Sequence, residues 1–118
     1  MNRTLVVIAV ALLGLGGLFL TLRPNASGDE PQDWGYDVEI EDGAMSPAEI
    51  AAGQGDQLTL RLTSNAPVEV HIHGYDLEEE VEPGEETELS FETELSGRFE
   101  IEDHETEAEL GALLVEPR

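Results

Sequence analysis

The sequence has no cysteine and no lysine among its 118 residues. Without a thiol, no disulfide can staple the fold, no lipid can be attached through a thioether, and no thiolate can ligate a metal or attack a substrate. Without lysine, positive charge rests on arginine alone. Beyond the amino-terminal stretch these are Arg61, Arg98 and Arg118, set against all 27 acidic residues, because every carboxylate lies at or after Asp29. Such a surface repels nucleic acid and anionic lipid, so partners of those classes are excluded. Two origins of the acidity stay open. One is a salt-loving source, where ions screen the self-repulsion within about 10 Å or less. The other is an acidic, solvated face on an ordinary secreted protein, which discourages association without demanding salt.

A hydrolytic triad has no support either. Ser46, Ser64, Ser90 and Ser96 have no histidine and acid arranged near them in sequence, and nothing else reads as a catalytic motif. The chain is therefore not expected to be an enzyme. Its length suits one folded domain with accessories, and a domain of this size without disulfides must rely on its packed core.

The one long apolar run covers residues 4–22, TLVVIAVALLGLGGLFLTL, and carries no charge. As a helix it reaches about 28 Å, close to the roughly 30 Å of a bilayer core. Arg23 and Pro24 follow at once, where a cleaved signal would place small residues, so residues 1–23 read as a membrane anchor rather than a removable signal. Arg3 and the free amino terminus favour a cytoplasmic start. The domain then faces the extracytoplasmic side, or is secreted if the segment is cleaved. Residues 24–34 mix small, turn-forming and charged residues and read as a tether. They include Asn25-Ala26-Ser27, a glycosylation acceptor pattern that matters only in a host that glycosylates exported proteins.

From residue 35 onward the chain breaks into short alternating runs at 36–41, 57–63, 68–73, 87–92, 97–102 and 112–116. In QLTLRLT the residues Leu58, Leu60 and Leu62 share one face, and in VEVHIH so do Val68, Val70 and Ile72. Glycine and proline punctuate the gaps, which predicts an all-β sandwich or barrel over residues 35–118. Residues 46–52, SPAEIAA, are expected to form a helical turn with Ser46 as cap and Pro47 as first residue. Trp34 and Tyr36 are expected to pack onto the sandwich. The acidic run at 78–82 lacks the oxygen-ligand spacing of a calcium loop and reads as solvated strand or loop.

Two of the three histidines lie in His71-Ile72-His73-Gly74. A spacing of two on a strand puts both imidazoles on one face, opposite Val70 and Ile72. Two neutral imidazoles at one strand end could share a transition-metal ion, while the plainer alternative is a pair of solvated surface histidines.

The run HIHGYDLEEEVEPGEETELSFETELSGRFEIED followed by ELGALLVEP resembles the carboxy-terminal half of a cupredoxin. A histidine closes a strand before Gly-aromatic, a Pro-Gly turn leads to an alternating strand, Gly-x-Phe opens the strand that delivers the metal loop, and Gly-x-Leu-x-Val closes the sheet. Upstream, AAGQGDQLTLRLTSNAP is similar to the family's Gly-Asp turn and following strand. The resemblance implies a cupredoxin-like Greek-key β-sandwich behind one amino-terminal transmembrane helix. It places His73 at the family's first histidine ligand. Asp103 falls where blue-copper members have their cysteine, His104 is the one histidine near the second histidine position, and Glu109 falls where a methionine is usual. The soft ligand of a blue-copper site is thus missing, and with it the electron-transfer chemistry. His73, His71, His104, Asp103 and Glu109 remain as donors for copper or another divalent ion. The expected function is a membrane-tethered domain that binds or passes such an ion, with a metal-free interaction or structural module of a membrane assembly as the alternative.

Overall fold

The computed structural model describes residues 30–118; the apolar run at 4–22 lies outside the described residues. Nine strands make up the fold and no helix occurs among the described residues. They are β1 (Asp33–Glu41), β2 (Ala44–Ser46), β3 (Glu49–Gly53), β4 (Gln57–Ser64), β5 (Val68–Ile72), β6 (Leu77–Val81), β7 (Thr87–Glu92), β8 (Gly97–Asp103) and β9 (Ala108–Glu116). One sheet has the order β2-β1-β4-β7 and the other β3-β9-β8-β5-β6. The chain crosses between sheets five times after β2, which gives the Greek-key sandwich.

Alternation explains which faces meet. On β4, Leu58, Leu60 and Leu62 are buried while Thr59 and Arg61 are half-exposed. On β5, Val68, Val70 and Ile72 are buried and Glu69 and His71 are not. These two inward rows, with Val38 and Ile40 of β1 and Leu113 and Val115 of β9, form the aliphatic core. Burying each such side chain stabilises by about 1.5–3 kcal/mol before ordering costs. Trp34 and Tyr36 pack against this core, as does Tyr75 with Phe91 and Phe99.

Residues 46–52 depart from the expected helical turn. Ser46 ends β2, the Ser46–Pro47 peptide is cis, and Glu49–Gly53 extends as β3 in parallel register with β9. Ile50 and Ala52 are buried. A two-residue period that fills the core and a ladder that satisfies the backbone override the local helix signal. The segment read as tether is also shorter than expected, since β1 begins at Asp33.

The reason for that early start is Asp56, which is fully buried. Its carboxylate accepts hydrogen bonds from Gln32 N (2.8 Å), Trp34 Nε1 (2.9 Å) and Gly53 N (2.8 Å). Arg118 Nη1 adds a fourth at 2.8 Å. Thr93, also buried, donates its hydroxyl to Gly53 O and Asp56 O. The ends of five strands, β1, β3, β4, β7 and β9, are tied together at one end of the sandwich.

Candidate metal centre

The five-stranded sheet buries Val70 and Ile72 on its inner face, so the residue between them, His71, points outward. Register then decides what lies beside it. His71 stands directly opposite Glu78 of β6 on one side and Glu102 of β8 on the other. Cross-strand partners at this spacing are within reach of one another. Two further histidines join from strand ends. His73 follows β5, its amide donating to Glu100 O at 2.9 Å, and His104 follows β8, its amide donating to Glu69 O at 2.7 Å. The His71 ring centroid is 4.7 Å from that of His73 and 5.3 Å from that of His104. A β-bulge lies beside Glu102, where Leu110 of β9 has no opposite residue because Ile101 faces Gly111 and Glu102 faces Glu109.

Two groups of donors result, His71 with His73 and Glu102, and His71 with Glu78 and His104, in each of which the ligand atoms lie within 4.8 Å of one another. In the first, His73 Nε2 is 2.6 Å from Glu102 Oε2, and His71 Nδ1 is 3.7 Å from the same oxygen. In the second, His104 Nδ1 is 3.6 Å from Glu78 Oε2. The side chain of His71 is only 13% exposed, and that of Glu102 14%. Nδ1 of His71 is fully buried, and Glu102 Oε2 beside it lies at 3.7 Å, longer than an ordinary hydrogen bond. A buried ring nitrogen facing a carboxylate without a bond to it is costly unless something occupies the space between.

The electrostatics follow from the close pair. The hydrogen bond to Glu102 raises the pKa of His73 above the ordinary histidine value, helped by the charges of Glu102 and Glu100 and opposed by partial desolvation. The same hydrogen bond from His73 lowers the pKa of Glu102, against a smaller opposing effect of desolvation. Without an ion, His73 therefore donates an Nε2 proton to Glu102. Coordination there requires that proton to leave.

Of the residues expected at the site, His71, His73 and His104 come together, while Asp103 and Glu109 belong to neither donor group. Asp103 Oδ1 accepts from Glu69 N at 3.3 Å and Glu105 N at 3.1 Å, holding the β8–β9 turn. Glu109 is ion-paired with Arg98 at 3.2 Å. Glu102 and Glu78 take their place. Alternation within EIED shows Glu102 facing away from Ile101, but only the register of β5, β6 and β8 reveals that both carboxylates flank His71. The geometry also shifts the centre of the site from His73 to His71, the residue common to both groups.

A sequence model described as the cupredoxin-like domain matches residues 8–115. The chain belongs to that family. The cupredoxin-like domain is similar in structure to the metal-binding domain of the Streptococcus pneumoniae D39 Cu(I)-exporting P-type ATPase CopA, with a TM-score of 0.63 and 20% identity over 79% of this chain and 93% of that one. It is also similar to a copper-binding protein in its apo form, with a TM-score of 0.62 and 16% identity over 75% of this chain and 93% of that one. A haem-copper terminal oxidase chain matches with a TM-score of 0.60 and 20% identity over 70% of this chain, which spans only 64% of the oxidase chain. At these identities the likeness is one of fold. No curated protein sequence matches this chain.

A blue-copper site does not fit this cupredoxin-like domain. There is no cysteine, and the carboxylate at its position, Asp103, is engaged by two backbone amides. The outer-face donors do fit a different ion chemistry. Imidazole nitrogen and carboxylate oxygen suit borderline divalent ions such as Cu(II), Zn(II) or Ni(II).

Proposed function

We propose that this domain binds one divalent transition-metal ion, copper foremost, through His71, His73 and Glu102, and that it carries the ion without cycling electrons. The observation that carries the reading is the buried Nδ1 of His71, 3.7 Å from Glu102 Oε2 and so beyond an ordinary hydrogen bond, beside the His73–Glu102 pair. Copper comes first because structural neighbours are named as copper-binding proteins. When bound, the ion supplies Lewis acidity and charge. The chain's part is to hold two imidazoles and one carboxylate on a rigid sheet, with Glu100 nearby to favour a cation. The apolar residues 4–22 ahead of Arg23-Pro24 support a membrane tether with the domain on the extracytoplasmic side.

A metal-free interaction module is the competing reading, and the 2.6 Å ion pair favours it, because His73 and Glu102 already satisfy each other without an ion. Calorimetric titration of the full-length chain with Cu(II) and with Zn(II) decides between them. The carrier binds one equivalent, and His71→Ala removes that binding while the fold, followed by circular dichroism, persists. The Cu(II) complex is pale, since no thiolate is present to give the intense blue band. Absence of binding by the unaltered chain selects the interaction module.

A further inference from the structure

The second donor group is not absorbed by that site. Glu78 belongs to β6, the edge strand of its sheet, and His104 to the turn after β8. Their side chains are 44% and 53% exposed, against 14% for Glu102. Both groups need His71. A neutral imidazole has one lone pair free for a cation, so the ring cannot serve an ion in each group at once without losing its one N–H proton. The two positions therefore exclude each other, and they differ in their carboxylate, exposed in Glu78 and largely buried in Glu102, while His73 is 47% exposed, close to His104.

We propose that Glu78 and His104 form a capture position from which a single divalent cation passes, by way of His71, to His73 and Glu102. The inference rests on the reading of His71, His73 and Glu102 as a metal site. Three features of the structure support it. His71 has a carboxylate on each side, Glu102 of β8 opposite it in one direction and Glu78 of β6 in the other, each within 4.8 Å ligand to ligand. The outer face around Glu78 is strongly acidic, with Glu80 two residues along and Glu69 opposite it. Such a face concentrates cations where they first meet the protein. The rings of His73 and His104 flank that of His71 at 4.7 and 5.3 Å, so an ion exchanging partners never leaves the reach of His71.

The test uses the full-length chain and Cu(II) alone, with stoichiometry from calorimetry and association from stopped flow, following free Cu(II) with a chromogenic indicator. The unaltered chain binds one equivalent. The double variant Glu78→Gln, His104→Ala still binds one, with an equilibrium affinity within about threefold, while its association slows by about tenfold, the lower end of what electrostatic and local-concentration effects give. Glu80→Gln removes the same negative charge from the same face and slows association by about twofold at most, since it weakens the field without removing a ligand. Unchanged association in the double variant, an equal slowing by Glu80→Gln, or two equivalents bound by the unaltered chain overturns the capture position. If the unaltered chain binds no Cu(II), the metal site and the capture position fail together; if it binds one and only the rates disagree, the capture position alone fails.

Discussion

Arg118 donates to the carboxylate of Asp56 at 2.8 Å, and no part of that carboxylate reaches solvent. Burial on its own raises the pKa of Asp56, but the amides of Gln32 and Gly53, the hydrogen bond from Arg118 and its charge more than offset it, and the pKa is lowered. A lowered carboxylate pKa adds stability that is complete above the ordinary value of about 3.9 and is lost as pH falls through the folded value. Asp56→Ala orphans the donors it now satisfies and is expected to destabilise by about 3–5 kcal/mol. Thermal melts between pH 7 and pH 2 check both points. The unaltered protein loses stability on acidification, and Asp56→Asn, already less stable at pH 7, loses less of it.

Gly74 has a φ of 86°, and a Cβ there would lie 2.5 Å from Cδ1 of Phe99. Gly84 has nearly the same φ, 84°, with open space around it. Both lose stability on substitution by alanine through the backbone, but Gly74→Ala must also push back the Phe99 ring, which stacks edge-on with Tyr75 at 4.9 Å. The expected extra cost is about 1–3 kcal/mol. Because Gly74 adjoins His73, the change also weakens metal affinity, whereas Gly84→Ala leaves it intact. Urea denaturation and metal titration of the two variants separate the effects.

On the proposed reading, proton and metal compete for His73. Its pKa is raised by Glu102 first and by Glu100 as well, so metal affinity begins to fall, as pH decreases, above the ordinary histidine value of about 6.5. Glu102→Gln removes the main cause and moves that fall to lower pH, while also weakening binding. In the ion-free protein the same pair contributes stability only while both partners are charged. That contribution is lost as pH rises through the raised value of His73, and again as pH falls through the lowered value of Glu102. Calorimetric titrations between pH 5 and pH 8 follow the competition. An affinity indifferent to pH across that range contradicts coordination by His73.

Like charges are paired across the sheet. Glu69 of β5 stands opposite Glu80 of β6, an arrangement that is destabilising when unscreened. The melting temperature is expected to rise with salt, because ions shorten the reach of the repulsion from about 10 Å at 0.1 M to about 3 Å at 1 M. Glu80→Gln raises the melting temperature at low salt and flattens the salt response. Melting curves over that salt range report both, and a flat response in the unaltered protein removes the case for a salt-loving source.

The strands that could be read from sequence were those whose apolar residues alternate over several positions. Leu58, Leu60 and Leu62 announce β4, and Val68, Val70 and Ile72 announce β5. β3 was hidden, because Ile50 and Ala52 are too few to show a period and Ser46-Pro47 imitates a helix start. The histidines were legible as a pair on one strand face, since a two-residue spacing is a local property. Their carboxylate neighbours were not, because the positions of Glu78 and Glu102 depend on how β6 and β8 are registered against β5. Asp103 and Glu109 were placed by their positions in a family pattern, but here Asp103, ending β8, is held by two backbone amides and Glu109, in β9, by Arg98.

β9 runs through the middle of its sheet, parallel to β3 on one side and antiparallel to β8 on the other. During synthesis it is made after both of its neighbours. Until residues 108–116 have emerged, β3 has no partner strand in that sheet and β8 can pair only with β5, so the five-stranded sheet cannot be completed before its second strand in order, β9, is made.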